Sequence, residues 1–470
     1  MKSDASPQAG DRILLVLAFT LAVSVMSATM FNIVLPRIAS DFELTFSQVS
    51  WISSAYLLVY AIGTVVYGKL ADSYPLRSLL TFGLVFFALG SLVGLAAQAY
   101  ETVLLGRVLQ GVGAAVIPAA SGVIPVRYFP PERRGRALGI AMTGMAIGSA
   151  IGPAVAALVV SAVHWRWLFC APLLTLILLP YYRKYLREQR GTGVSIDWLG
   201  CGLLAGTVAL LLLAIANAAW PYAAGCVALF LVFLARIRAA KSPFIRPGLF
   251  RGKGYSLGLA MAFAGTCIGY SLPFVIPLLL TVANGLAPGR IGLSMVPAAI
   301  ATAILGRSAG KLADAKGNSF LFYSSASLLG LCLLSLSAFA GTSPILISLL
   351  LVFGNVGYSF LFIAMTNAVS RSLSPDEAGV GMGLLAMLNF IAGAVSASLY
   401  GGIADRGAES RWNPFNAYPE AYVFSNLFLA LAMVLAAVVA VYLAQFGGSL
   451  RRIATPAKKT SPAENFGKDE

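Results

Sequence analysis

Twelve stretches of this chain, each sixteen residues or longer, hold no Asp, Glu, Lys or Arg: 13–36, 44–68, 78–100, 108–126, 137–163, 167–182, 198–235, 254–289, 291–306, 317–370, 378–404 and 421–450. An ionised group at the centre of a bilayer costs at least ~2.5 kcal/mol, so such stretches mark segments able to cross one. A crossing helix needs about 20 residues. Two stretches are long enough to cross twice, with breaks at Asn217–Tyr222 (NAAWPY) and Gly341–Pro344 (GTSP). The expected fold class is therefore an all-α integral membrane protein with 14 transmembrane helices, numbered here 1 to 14. Only 11% of the residues are charged and 59% are apolar, against about 25% charged in a soluble domain. That few charges could not cover a wet surface, which excludes a soluble enzyme, a nucleic-acid-binding module and a disordered or fibrous chain.

Charge also orients the helices. The net charge is +15, and with the amino terminus inside, 27 of the 33 Lys and Arg fall in cytoplasmic segments. Arg37, Arg166, Arg290, Arg406 and Arg411 lie on the other side, and Arg107 lies within helix 4. That asymmetry is the inside-positive bias and predicts that both termini are cytoplasmic. The lipid bilayer, through anionic headgroups, is the partner of the basic excess; no nucleic acid is expected. Residues 1–12 resemble the start of a signal peptide, but the apolar stretch reaches Pro36, too long for a cleaved one, so it reads as an uncleaved first span. The five cysteines stand singly and His164 is the sole histidine, so neither a metal site nor any cofactor is expected. No Gly-rich loop ending in Lys-Ser/Thr is present, which argues against ATP as the direct energy source.

A repeat sets the architecture. Gly68-Lys69-Leu70-Ala71-Asp72 recurs as Gly310-Lys311-Leu312-Ala313-Asp314, 242 residues on. Arg127, Pro131, Glu132, Gly135 and Gly139 are echoed by Arg371, Pro375, Asp376, Gly379 and Gly383, 244 residues on. Two six-helix bundles of one design are expected, residues 13–190 and 241–450, with inserted helices 7 and 8 in the linker 191–240. A cytoplasmic segment 1–12 and a disordered, lipid-facing tail 451–470 complete the chain. Like-oriented repeats place a path at their interface, along a pseudo-two-fold axis normal to the membrane.

Several motifs point further. They are Asn32-Ile33-Val34-Leu35-Pro36 ending helix 1, Trp51 to Tyr60 in helix 2, the GKLAD segment, Arg107 to Gly113 in helix 4 and Gly148-Ser149-Ala150-Ile151-Gly152-Pro153 in helix 5. With these the chain resembles the major facilitator superfamily, in particular its fourteen-helix drug:proton antiporters, and among those the tetracycline exporters of Gram-positive bacteria. The resemblance spans about Asn32 to Tyr442 and implies a multi-pass protein of the bacterial inner (plasma) membrane, working as a monomer. It implies a cytoplasmic gate at Gly68, Asp72 and Arg77, repeated at Gly310 and Asp314, although Ser73, Pro75 and Leu76 depart from the family's loop. It also implies that Arg107 serves substrate binding and proton coupling, and that Gly144, Gly148, Gly152 and Pro153 form the antiporter motif at a seam between the halves.

The residues themselves support part of this. Arg107 lies six positions inward of Glu101, about 9 Å deeper by helical rise, with Gln110 on the same face. Glycines four apart at Gly144, Gly148 and Gly152 make a smooth ridge against which a helix can pack closely. Arg127 to Arg136 reads as a solvated loop between helices 4 and 5. The polar residues within spans, among them Asn32, Tyr56, Tyr60, Tyr270, Asn355 and Asn389, are either helix–helix hydrogen-bond partners or contacts to a substrate. As a set they suit a small, mostly apolar organic molecule.

Acids are the discordant feature: none of the 18 lies well inside a span. At the places where tetracycline exporters carry acids in helices 1 and 13, this chain aligns Ala28 and Ser396. The expected function is proton-coupled efflux of lipophilic organic compounds or drugs by alternating access. The substrates expected are neutral, zwitterionic or anionic, with the proton carried by the substrate itself or by Asp72 and Glu101. A gradient-independent uniporter or a flippase for lipid-like substrates, and a non-transporting membrane receptor or scaffold, remain as alternatives. Epitope tags placed in 217–222 and 341–344 are expected to be reachable only from outside the cell; a cytoplasmic location of either would overturn the helix count.

Overall fold

Fourteen helices long and apolar enough to cross a membrane run through the computed structural model, which describes residues 7–129, 131–186, 197–240, 243–245, 247–373 and 378–454. They are α1 (Pro7–Met30, continued by a 3-10 turn Phe31–Ile33), α2 (Phe46–Ser73), α3 (Leu76–Leu95), α4 (Tyr100–Ala114 and Val116–Tyr128) and α5 (Pro131–Ala162). There follow α6 (Trp165–Leu178 in 3-10 form, then Leu179–Tyr185), α7 (Trp198–Asn217), α8 (Trp220–Ala239) and α9 (Lys253–Val282). The remainder are α10 (Pro288–Lys316), α11 (Asn318–Phe339), α12 (Pro344–Arg371), α13 (Ala378–Arg406) and α14 (Tyr422–Ala454).

Both long stretches divide where the sequence places the breaks. Between α7 and α8, Ala218 takes left-handed backbone at φ 48°, and between α11 and α12 Gly341 does so at φ 89°. Ser343 then caps α12, accepting from the Ile345 N–H, with Pro344 first in the helix, where a missing N–H costs nothing.

Helix ends are where the sequence reading needs correction. Gly68 to Asp72 lies within α2, Gly310 to Asp314 within α10, and Pro131 to Arg136 opens α5 instead of forming a loop. Charge-free stretches measure the hydrocarbon thickness, whereas a helix continues into water as long as its sequence allows. Pro131 starts α5 because proline is at home in a first turn. Residues 1–6, 191–196 and 455–470, hence parts of the expected amino-terminal segment, linker and tail, lie outside the described residues, as do 374–377 of the second Arg–Pro–acid–Gly copy.

The packing repeats as the sequence does. In the first bundle α1 packs on α5, α3 on α4, α2 on α4, and α3 on α6; in the second, α9 packs on α13, α11 on α12, α10 on α12, and α11 on α14. Each pair is the first shifted by eight helices. The bundles meet along two seams, α2 with α13 and α10 with α5, which are again related by that shift. The inserted α7 rests on α2 and α13, and α8 rests on α7 as the least buried of the fourteen spans.

The insert is fastened at the end of the bundle where the basic segments gather, called here the basic end. Asp197 caps α7: its Oδ1 accepts from the Gly200 N–H at 3.0 Å and from Arg236 of α8, Nε at 3.1 Å and Nη2 at 3.0 Å. Beside it Lys69 of α2 donates to the Pro243 carbonyl at 3.0 Å and lies over the Phe244 ring. Burial pushes the Asp197 carboxyl up, but the Gly200 N–H and the Arg236 guanidinium outweigh it and hold it below its ordinary value. A carboxylate with a lowered folded-state pKa stabilises above its unfolded value and ceases to as pH falls through the folded one. Asp197→Ala is expected to remove about 1 kcal/mol of cap stability and to lower the unfolding temperature of purified protein at pH 7. The difference from wild type should shrink as pH falls from the ordinary carboxylate value of about 4 toward the lowered folded one, and vanish only beneath that.

Candidate functional site at the interface of the bundles

Arg107 is fully buried in α4, and among the described residues the surrounding helices supply oxygens and rings but no carboxylate. Its Nε donates to the Ile52 carbonyl of α2 at 3.0 Å, and its Nη1 to the Ser27 carbonyl of α1 at 3.2 Å and to Gln110 Oε1 at 2.9 Å. Gln110 Nε2 donates in turn to Ser91 Oγ of α3 at 2.8 Å. The guanidinium lies between two aromatic faces, Phe31 at 4.4 Å and Tyr56 at 4.1 Å from the ring centroids. The planar, weakly hydrated guanidinium suits such a sandwich, and a ring face attracts it through its quadrupole. Its Nη2 has no hydrogen-bond partner among the described residues.

Next to this cluster the two bundles touch. Asn32 of α1 donates to the Tyr270 hydroxyl of α9 at 3.4 Å and accepts from Ser53 Oγ of α2 at 2.7 Å. Tyr56 stacks on Tyr60, which meets Phe390 of α13 edge-on at 4.6 Å. Ser54 Oγ donates to the Ala394 carbonyl of α13 at 2.9 Å. Nearer the end opposite the basic segments, the far end, Gly401 of α13 sits against the Phe46 carbonyl, and Gly292 of α10 against Ala157 and the Pro153 carbonyl of α5. No Cβ fits at Gly401 or Gly292 without moving a backbone.

These contacts are one-sided. The bonds of Phe46 and Ser47 to Asp405, the bond of Ser54 to Ala394 and the ring contact of Tyr60 with Phe390 all lie on the far-end half of α2. Toward the basic end, a Cβ at Gly68 of α2 or Gly383 of α13 would meet nothing within 4 Å. The bonds that join the bundles at this seam gather toward its far end. The second bundle holds a small, mostly apolar recess between α9, α12 and α13, where Thr266 Oγ1 donates to Asn389 Oδ1 at 3.0 Å and Tyr358, Phe362, Met365 and Thr366 form part of the wall. A larger apolar groove of about 710 Å³, lined by Leu58, Ile62, Leu70, Phe82, Trp198 and Ala209, lies between α2, α3 and α7, away from this interface.

The structure thus gathers Arg107, Gln110, Asn32, Tyr56, Tyr60 and Tyr270 in one cluster and places Asn389 in the recess. Asn355 stays apart, donating to its own helix at the Leu351 carbonyl. Gly144, Gly148 and Gly152 pack on Ala18, Ala22 and Thr29 of α1, within the first bundle, while the contact with the other bundle is made by Pro153 and Ala157. Arg77 is half-buried in the first turn of α3; the side chains of Asp72 and Asp314, and the surroundings of Gly310, lie outside what is described. Sequence reasoning missed Phe31, Ser91, Thr266 and Gly292. A lone phenylalanine among 27 carries no signal, but Gly289 and Gly292, three apart at a helix start, were readable as a close-approach face.

The Major Facilitator Superfamily model matches residues 17–397. The chain is 25% identical to riboflavin transporter RibZ of Clostridioides difficile over 88% of this chain and 92% of that protein. It is 27% identical to the putative multidrug resistance protein MdtD of Klebsiella pneumoniae over 90% of this chain and 92% of that one. Its fold is similar to that of a bacterial homolog of the human lysosomal transporter Spinster solved in an inward-facing, unoccupied conformation, with TM-score 0.69, 14% identity, and coverage of 96% of this chain and all of that one.

Arg107→Lys keeps the charge and loses the flat group, the stacking on both rings and the fork of donors. Each stacked face is worth about 0.5–2 kcal/mol. Transport by this variant is expected to fall at least ~tenfold at unchanged membrane abundance, measured as initial uptake into proteoliposomes.

Proposed function

The chain belongs to the major facilitator superfamily, and on that premise we propose that it exports lipophilic organic compounds or drugs in exchange for protons, as a member of the fourteen-helix drug:proton antiporter branch. It is a secondary transporter of the inner membrane, not an enzyme, and works by alternating access. In the proposed orientation the basic end and both termini are cytoplasmic, so the bonds gathered at the far end of the α2–α13 seam lie toward the outer side. The names of the two relatives, one pointing to multidrug resistance and one to riboflavin, support an organic substrate of modest size.

The observation that carries the substrate class is Arg107. It is a buried cation held by carbonyls and rings, with one nitrogen unpartnered and no carboxylate facing it among the described residues. The acids within the spans, Glu101, Asp405 and Glu420, all sit at the far end. Ala28 and Ser396 are both buried and offer no counter-charge to a cationic chelate. Such a core favours neutral, zwitterionic or anionic lipophiles over metal–tetracycline complexes, because charge inside hydrocarbon is tolerated only where something offsets it. A proton then travels on an acidic substrate, or on Asp72 or Glu101 at the ends of the path.

The acid-free middle also favours a second reading, a uniporter or a flippase for lipid-like molecules that needs no gradient. Purified protein in liposomes, offered a panel of anionic, zwitterionic and cationic lipophiles with and without an imposed pH gradient, separates the two. Gradient-dependent movement of the first two classes, abolished by Arg107→Ala, is expected. Equal movement without a gradient would favour the uniporter, and activity confined to tetracycline would refute the substrate class.

A further inference from the structure

The first helical amides of α2 are completed from the other bundle. Thr45 caps α2 locally: its Oγ1 accepts from the Gln48 N–H at 3.2 Å and its own N–H donates to Gln48 Oε1 at 2.9 Å. That leaves the N–H groups of Phe46 and Ser47, two of the four a helix start cannot satisfy by itself. Asp405, next to last in α13 and more than 350 positions along the chain, takes both: Oδ1 accepts from Phe46 N at 2.6 Å and Oδ2 from Ser47 N at 2.5 Å. A carboxylate at a helix N-terminus is favoured by the dipole as well as by the two charge-assisted bonds.

Pseudo-symmetry shows that packing does not require an acid there. Shifted by the repeat offsets, Phe46 and Ser47 of α2 correspond to Pro288 and Gly289 of α10, and Gly401 and Asp405 of α13 to Ala157 and Ser161 of α5. The same positions meet in the other seam, Gly289 on Ser161 and Gly292 on Ala157, just as Gly401 meets Phe46 and Ser50. At this place one seam has Gly289 against Ser161, and the other carries a carboxylate.

The inserted helix lies over the carboxylate-bearing seam. Ser47 Oγ donates to the Ala216 carbonyl of α7 at 3.1 Å, and Ser398 Oγ of α13 donates to the Leu212 carbonyl of α7 at 3.3 Å. One helix outside the repeat is thus bonded to both sides of the seam within a few residues of Asp405.

We propose that Asp405 is a positioning residue for transport: clasping the start of α2, it holds the far end of the α2–α13 seam shut and sets the balance between the two exposures of the central path. It rests on alternating access and needs no particular substrate or coupling ion. The released amides would face water when the seam parts, so the clasp biases the equilibrium without locking it. Losing it should shift the balance toward the far-end-open state by about tenfold.

The test reads that balance directly. Ser50 is buried under the clasp, one turn along α2 and against Gly401. In full-length protein in nanodiscs, with the five native cysteines replaced, Ser50→Cys reports opening through its rate of reaction with a bulky hydrophilic maleimide. Asp405→Ala is expected to raise that rate about tenfold, and Asp405→Asn, which keeps one accepting oxygen, by less. Asp41→Ala serves as control, because Asp41 bonds within its own bundle to Trp165 Nε1 and Arg37; its rate should not change. Deuterium exchange at the amides of Phe46 and Ser47 provides a second measurement in the milder Asp405→Asn variant and should quicken. Equal labelling in wild type, Asn and Ala forms, or an equal rise in Asp41→Ala, would overturn the assignment. Neither measurement uses a substrate or a gradient, so failure of the proposed export would leave this result standing, and the reverse.

Discussion

A charge in hydrocarbon must be offset or expelled, and nearly every feature of this protein follows from that. It confines acids and bases to helix ends, which makes the spans countable, and it leaves one ionised group, Arg107, to be accommodated in the interior. The accommodation is neutral: two backbone carbonyls, an amide oxygen and two ring faces. These groups solvate a cation without cancelling its charge. A guanidinium satisfied this way keeps a field that an anionic or strongly dipolar solute at the interface of the bundles would feel, whereas an adjacent carboxylate would have extinguished it.

The same constraint explains why the two bundles meet as they do. Between helices in lipid there is little hydrophobic drive, so close approach by small residues and a few hydrogen bonds must hold the seams. Gly292 on Ala157 and Gly401 on Phe46 supply the approach, and Ser54, Asn32 and Tyr270 supply the bonds. Contacts of this kind are shallow and reversible. An interface held by such contacts is suited to rocking, because exchanging one closed end for the other replaces weak contacts with weak contacts.

Helix number, the doubled stretches at Ala218 and Gly341, and the repeat were legible in the sequence because each depends on local composition or on self-similarity. Arg107 with Gln110 was legible because a charge in an apolar run stands out and helical spacing puts the two on one face. The partners of Arg107 were not, since backbone carbonyls of Ser27 and Ile52 leave no trace in residue identity. Helix ends were misplaced at Pro131 because a rule built on membrane thickness stops at the headgroups. The glycine ridge was visible, but which helix it faces, α1 of its own bundle, depends on the rotation of α5, and three glycines cannot fix that when Ala156 and Ala157 leave other faces small too.

The insertion also breaks the symmetry that the duplication created. Two six-helix units related by a shift of eight helices would have two equivalent seams, and an exact pseudo-two-fold would make them open alike. With α7 bonded across α2 and α13, only one seam carries an added helix at its far end, and that seam also has the acid where its counterpart has Ser161. At the matching place the α5–α10 seam has only the contact of Gly289 with Ser161 among the described residues, and no inserted helix is bonded across it there. Opening at the far end therefore requires less at α5–α10 than at α2–α13, so the bundles are expected to swing about the reinforced seam rather than part evenly. A hinge on one side and a mouth on the other gives a path with a preferred side of entry, a property that the duplicated bundles alone would not have.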